Sequence, residues 1–350
     1  MKTIHNKAFV ACRMPGNREA VFLSATTVEA YASLEEISLS VQGFIMAPFK
    51  AGEDCPVFVF TDFLSKSFDP KEWLALNSAV KSQGEISYNR EEYFRAFETV
   101  KKALDRGYAD KVVLARCVRM SSEAVDLRDV FARACEDYPD CYVSLIEIEG
   151  YGAWITASPE LLYGCHGGQG HTVAVAATML WSEYVAGRQW SGKEVAEQQI
   201  VAQYIREKLT LNRLDFREEE TTSVKAASLA HIKTAFTINN PKNSDTLNIL
   251  KFLHPTPAVS GFPTQKAVDI VELAEGMGSR RYYAGFSGFV NHPLYETECY
   301  VSLRFMEADQ SGNLNFYAGG GIMPQSNAES EWNETSHKLN TIMRFITGES

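Results

Sequence analysis

No stretch of the 350-residue sequence approaches the roughly 20 consecutive apolar residues that a membrane-spanning helix needs. The opening, MKTIHNKAFVACRMPGNREA, carries Lys2 and Lys7 but no apolar segment of the length a signal peptide requires. Long basic runs are missing, and the formal net charge is −10. A surface of that sign repels phosphate backbones, which excludes nucleic acid as an expected partner. There is no C-x-x-C pair, and the seven cysteines are odd in number. They read as reduced thiols of a cytoplasmic protein, not as disulfides or a zinc site. Internal repeats and low-complexity linkers are absent too. What remains is ordinary for a packed chain: 45% hydrophobic and 22% charged residues, which excludes disorder.

Periodicity places the elements. Apolar residues at helical spacing predict a helix over Asn89–Leu104, with Phe94, Phe97, Lys101 and Leu104 along one stripe. KVVLARCVRM (Lys111–Met120) reads as a strand with Val112, Leu114 and Val118 on one face and Lys111 and Val113 on the other. A second helix is expected over Asp126–Glu136, followed by three strand-like runs, CYVSLIEIEG, YGAWITASPELLYG and HTVAVAATML. Glu194–Leu211 and Glu329–Ile346 read as further helices, and YVSLRFMEAD with LNFYAGGGIM as a hairpin across DQSGN. Apolar/polar alternation in many strands favours antiparallel sheet. Residues 1–85 carry no assignable motif and are expected to add strands to the same sheet.

Four features could carry chemistry. Glu194 and Glu197 are i, i+3 on one helix, and Glu331 and Glu334 on another, so each pair shares a face. If the faces meet, the clustered carboxylates need a cation between them, and oxygen-only ligands suit Mg²⁺. Solvated glutamates on surface helices are the ordinary alternative. Lys111 is either a charge that blunts a strand edge or a buried amine acting as general base. Glu160, after Ser158-Pro159, is either a solvated turn residue or a general acid. The three glycines of YAGGGIMPQS either leave backbone N–H groups open to an anion or make a tight turn. LHPTPAVSGFP (Leu253–Pro263) holds three prolines and a glycine and predicts a rigid irregular loop.

In this order the features resemble the chorismate-utilising enzymes: isochorismate and salicylate synthases, anthranilate synthase large subunits and aminodeoxychorismate synthases. The resembling stretches are ADKVVLARCVRM, ITASPELL, AVAAT, KEVAEQQIV, LAHIKT, LHPTPAVSGFP, RRYYAGFSG, VSLRF, YAGGGIMPQS and ESEWNETSHKL. They span about two-thirds of the chain. The resemblance implies an α+β fold, a single domain over 1–350 in which large antiparallel sheets pack together with helices outside. Residues 86–350 would bear the motifs.

The resemblance also implies roles. Lys111 matches the general base and Glu160 the general acid. Glu197 and Glu334 match Mg²⁺ ligands, with Glu194 and Glu331 beside them. Thr178, Tyr283, Arg304, Gly319, Gly321 and Lys338 match groups around the substrate, and His231 a histidine lining the pocket. Ala177 stands where the family has glycine, which adds a methyl near the ring. Gln198 stands where many relatives have histidine. Lys111 and the LHPTPAVSGFP loop favour isochorismate synthase: water adds to chorismate at C2 and the C4 hydroxyl leaves, with Mg²⁺, no redox cofactor and no glutamine amidotransferase subunit. Salicylate synthase, which goes on to eliminate pyruvate, is the runner-up, ahead of an amine-transferring enzyme component or a non-catalytic chorismate-binding protein.

Overall fold

The computed structural model describes residues 1–74, 86–87, 89–121, 125–226 and 229–347. Among these residues the strands form two antiparallel sheets, of 11 and 10 strands. In the first sheet, Gly43–Ala47 pairs with Phe286–His292, and Gln169–Leu180 pairs with Leu229–Asn239. In the second, Lys111–Ser121 pairs with Asn313–Ile322, which continues through Phe305–Ala308 to Gly152–Ser158 and Tyr142–Ile148. The N-terminal residues add strands to both sheets, not to one: Val28–Tyr31, Gly43–Ala47 and Val57–Phe60 to the first, Ala8–Arg13, Ala20–Ala25 and Leu64–Phe68 to the second. Residues 75–85 lie outside the described residues.

Seven α-helices are described: α1 (Arg90–Asp105), α2 (Leu127–Asp137), α3 (Trp181–Val185), α4 (Gly192–Leu211), α5 (Asn243–Leu253), α6 (Thr264–Glu275) and α7 (Ala328–Thr347). Side-chain caps fix several of their starts, as expected for orphan N–H groups. Asn89 accepts from Glu92 N–H, Asp126 from Arg128 N–H and Ser191 from Glu194 N–H. On α1 the buried stripe is Tyr93, Phe97, Val100 and Leu104, so Phe94 and Lys101 sit at its margin.

Two hydrophobic clusters form. The larger one fills the space between the sheets and runs from Ile4 and Phe44 to Phe289 and Ile322, taking in the buried sides of α1 and α4–α6. The smaller one lies under α2 and α7, where Phe131, Leu339, Ile342 and Met343 cover Val118, Leu145, Ile155 and Phe316.

Two expected segments differ. YVSLRFMEAD is not one strand. Glu296–Val301 belongs to the first sheet and Phe305–Ala308 to the second, and the chain crosses between them at Arg304, whose φ is +43°. The triple glycine is neither a turn nor an open loop. Gly319, Gly320 and Gly321 lie within a strand, opposite Ala115, Leu114 and Val113. The expected hairpin survives in its shorter form, Phe305–Ala308 with Asn313–Ile322.

Candidate active site

A cavity of about 350 Å³ opens where the two sheets, α4, α7 and the 253–263 loop meet. Glycine makes the room. A Cβ on Gly321 would lie 2.2 Å from Glu197 Oε1 and 3.0 Å from Lys111 Cε; one on Gly319 would lie 3.1 Å from the Tyr283 hydroxyl. A Cβ on Gly320 would face Glu331 Oε2 at 3.3 Å and Glu334 Oε1 at 3.8 Å. The glycine strand is therefore the floor on which both acidic helices rest their carboxylates.

Of the residues picked out in the sequence, Glu160, Ala177, Thr178, Glu194, Glu197, His231, Tyr283, Arg304, Gly319, Gly321, Glu334 and Lys338 all line this cavity. Lys111 and Glu331 do not; both are buried just behind it. Lys111 is fully buried, which removes the strand-edge reading, and its Nζ lies 3.0 Å from Glu197 Oε1, off the hydrogen-bond direction.

Glu160 is buried at the end of the Gly152–Ser158 strand, and its N–H donates to Ser158 Oγ at 3.2 Å. Burial pushes its carboxyl up to about 7, against the opposing pull of the Lys111 side chain and the Thr256 hydroxyl. It therefore keeps a proton near neutrality. His231 is driven the other way: burial pushes its imidazole down to about 4, against the Ala177 carbonyl. His231 Nδ1 lies 2.8 Å from that carbonyl oxygen, which can only accept, so Nδ1 carries the proton. Nε2 is left as a buried lone pair with no partner among the described residues. Thr178 Oγ1 lies 3.3 Å from Nδ1.

Ala177 holds a φ of +60° inside a bulge, where the register slips between Ala176 and Met179. An L-residue is strained there and glycine is not. The added methyl thus sits on a backbone shaped for glycine. Gln198 is turned away from the cavity: its Nε2 donates to Thr234 Oγ1 at 2.7 Å, and Thr234 Oγ1 meets Thr221 Oγ1 at 2.8 Å.

The acidic residues are matched by cations. Lys193 donates to Glu331 Oε1 at 2.7 Å, and Lys338 to Glu334 Oε1 at 2.7 Å and to the Gly319 carbonyl at 3.0 Å. Burial works to lower the Lys193 ammonium, but Glu331, Glu197 and Glu334 outweigh it and leave it raised. Lys193 thus touches Glu331 and feels the charge of Glu197 and Glu334. Glu194 has a local task as well. Its Oε2 accepts from Ser191 N–H at 2.7 Å to close the capping box of α4, and its Oε1 accepts from Arg188 at 3.1 Å. Arg304 is held more loosely, 3.5 Å from the Ala157 carbonyl and stacked over Tyr138 at 5.3 Å.

A hard cation fits this donor set. Glu331 Oε2 is buried without a hydrogen bond of good geometry, and the cradle over Gly320 and Gly321 is lined by carboxylate oxygens. Among the described residues no three His, Cys, Asp or Glu side chains form a ready-made cage. Mg²⁺ does not need one, since it takes one or two carboxylates and completes its shell with water and ligand oxygens.

Arg188 and Lys193 also line the cavity, although neither was singled out in the sequence, and nor was the clamp beside it. Arg280 donates to Glu275 at 2.5 and 2.8 Å, to the Val259 carbonyl at 2.6 Å and to the Val113 carbonyl at 2.5 Å, while Glu275 accepts from Ala115 N–H at 2.7 Å. This buried pair ties the 253–263 loop to the Lys111 strand. Lys193 lies inside the KEVAEQQIV stretch and was within reach of sequence reasoning. Arg188 lies between two recognised stretches, and no spacing marks it.

Residues 64–347 match the family model described as chorismate binding enzyme. The isochorismate synthase EntC of Escherichia coli (strain K12) is 27% identical over 246 residues, covering 68% of this chain and 62% of that protein. A protein of Mycobacterium tuberculosis (strain ATCC 25618 / H37Rv), named putative isochorismate synthase MenF, is 31% identical over 258 residues, covering 69% of this chain and 68% of the relative. The match thus spans under two-thirds of the E. coli relative's length. In overall fold the chain is similar to the crystal structure of the putative 2,3-dihydroxybenzoate-specific isochorismate synthase DhbC from Bacillus anthracis. The TM-score is 0.81 at 20% identity, over 98% of this chain and 96% of that one. With the family model covering most of its length and most of the expected residues lining one cavity, the chain belongs to the chorismate binding enzyme family.

Proposed function

We propose that the chain is an isochorismate synthase, an isomerase that interconverts chorismate and isochorismate with Mg²⁺. The observation that carries this reading is the pairing inside one cavity of a carboxyl that keeps its proton to about 7, Glu160, with cationic side chains facing a carboxylate-lined cradle. The names of the E. coli and M. tuberculosis relatives support it.

Chorismate is a dicarboxylate, so a protein of net charge −10 must bind it in a local cationic pocket. Arg304 and Lys338 supply donors there, and charge-assisted hydrogen bonds of this kind are the strong ones. Glu197 and Glu334 would hold Mg²⁺, with Glu194 and Glu331 beside them; the ion would neutralise a substrate carboxylate. Lys111 takes the proton of the water that adds at C2. Glu160 gives its proton to the C4 hydroxyl as it leaves. The His231 Nε2 lone pair accepts from a substrate or water hydroxyl. We further propose that 1–350 works as one unit in the reducing cytoplasm, with no ammonia-supplying partner. No helix among the described residues is long and apolar enough to cross a membrane.

Chorismate and Mg²⁺ alone should give an equilibrium mixture with isochorismate, approached from either side and followed by NMR. Activity should vanish with EDTA and return with Mg²⁺. Salicylate and pyruvate forming in step with chorismate loss would make the chain a salicylate synthase. Anthranilate on adding ammonium would overturn the role of Lys111, and no turnover at all would leave a binding protein.

A further inference from the structure

The cavity wall includes one cation that is held differently from the rest. Arg188 sits on the short strap that joins the strand bearing Ala177 and Thr178 to α4, which bears Glu197. The strap consists of α3 and a turn through Gly187, whose φ is +93°. It ends at Ser191, and Gly192, where a Cβ would meet nothing within 4 Å, opens α4 beyond it. The Arg188 guanidinium donates to Glu183 Oε2 at 2.5 Å and to Glu194 Oε1 at 3.1 Å. Arg188 and Glu183 side chains are both 44% exposed. Ion pairs in contact with water are weakly held.

The other cavity cations have less freedom. Lys338 is engaged with Glu334 and the Gly319 carbonyl, and Lys193 with Glu331, whose side chain is only 3% exposed. The cavity lining offers four basic side chains, Arg188, Lys193, Arg304 and Lys338, against the carboxyls of Glu160, Glu194, Glu197 and Glu334. A dianionic ligand therefore needs cations whose present partners are easily given up. Arg304 meets that condition, and so does Arg188 at its Glu183 bond, while its bond to the more buried Glu194 is the firmer of the two. Of the two arginines, only Arg188 is mounted on a segment with glycine at the turn and just past the far end. Its planar fork can exchange a solvent-screened carboxylate for a desolvated one without changing the kind of bond it makes.

We propose that Arg188 is a substrate-binding residue: on entry of the dianion it leaves Glu183, holds one substrate carboxylate, and draws the Trp181–Ser191 strap over the cavity mouth. Glu183 is then a latch for the open form. This inference rests on the chorismate reading. The strap reports on itself, because it carries Trp181 and Trp190, and Trp190 Nε1 donates to Ser223 Oγ at 2.9 Å.

The test is steady-state kinetics with chorismate and Mg²⁺ on the whole chain and on the variants Arg188→Gln, Arg188→Lys and Glu183→Gln. Thermal melting of each confirms folding. Arg188→Gln should raise KM about tenfold or more, as expected for losing a charge-assisted hydrogen bond, and keep kcat within about threefold. Arg188→Lys should fall between. Glu183→Gln should lower KM, since removing the latch favours the closed form. Substrate-dependent tryptophan fluorescence should persist in Glu183→Gln and shrink in Arg188→Gln. If both variants shift KM the same way, or neither shifts it, Arg188 only ties the strap to the capping box and the proposal is wrong, while wild-type turnover leaves the functional reading standing. Absence of wild-type turnover overturns both.

Discussion

Glu160 is a carboxyl that burial keeps protonated to about pH 7, and a group of that kind costs stability wherever it ionises. Its ordinary value is 4.5 and its folded value about 7, so the native state binds more protons between them. Its contribution is fully present below 4.5 and is lost as pH rises through about 7. Glu160→Gln cannot ionise. It should lose activity by about 10²–10⁴, the range for a positioned proton donor, yet be as stable as the parent or more so at pH 8. Denaturant melts at pH 5 and pH 8 check this; lower stability at both would mean the carboxyl is a structural acceptor. Wild-type turnover should also decline as pH rises through about 7. Ala177 tests a different constraint. Left-handed backbone costs an L-residue about 1–2 kcal/mol, and glycine's extra chain freedom takes back about 0.5–1. Ala177→Gly should therefore raise stability by no more than about 1.5 kcal/mol and keep activity. Ala177→Val should be the damaging change, visible as a clear drop in melting temperature.

At the scale of elements, the strand Asn313–Ile322 works through what its glycines lack. A Cβ at Gly321 would collide with Glu197 Oε1 at 2.2 Å, so the carboxylate has to move before the strand does. Gly321→Ala should raise the Mg²⁺ concentration needed for half-maximal activity about 10–100-fold, the usual effect of disturbing the groups around a metal ligand. An unchanged Mg²⁺ requirement would show that Glu197 is not a ligand. The same strand marks how far the sequence could be read. Helices α1, α2, α4 and α7 were legible within a residue or two, because their apolar periods and capping residues are local. Many of the residues that line the cavity were picked out as well, because the order of the motifs carries them, whereas Arg188 was not. The structure of the triple glycine was not, since a glycine run suits a turn equally well, and only its pairing with Val113–Ala115 resolves the choice. Nor was the break at Ser302–Arg304 legible: VSLRF alternates straight through it, although the run is shared by two sheets. The Glu275–Arg280 clamp was invisible because its partners come from the loop and the Lys111 strand, distant in sequence.

The whole molecule reverses the apparent division of labour between its two ends. Residues 1–85 show no motif, yet two motifs lean on them. Tyr282, next to the cavity-lining Tyr283, stacks on Phe58 at 5.8 Å and donates its hydroxyl to the Pro56 carbonyl at 2.8 Å. Arg280 of the clamp lies 4.5 Å over the Phe49 ring, and Phe49 N–H donates to the Arg281 carbonyl at 2.9 Å. His254, the second residue of the proline-rich loop, is half-buried with Nε2 3.0 Å from the Pro48 carbonyl oxygen. Ile45 pairs with Gly288, and Ile4, Val10, Leu23, Phe44, Ile45, Phe58 and Phe60 are all 5% exposed or less. Each such side chain contributes about 1.5–3 kcal/mol by burial, so removing seven takes away roughly 10–21 kcal/mol, as much as or more than the 5–15 kcal/mol by which ordinary domains are stable. A chain cut to residues 86–350 keeps every proposed catalytic group and should nevertheless fail to fold, with no cooperative melt in circular dichroism and no turnover of chorismate. A soluble 86–350 fragment that melts cooperatively would show that the motif-bearing part is a domain in its own right. A fragment of that kind that also turned over substrate would show that the contacts of Pro48, Phe49 and Phe58 do not position the site.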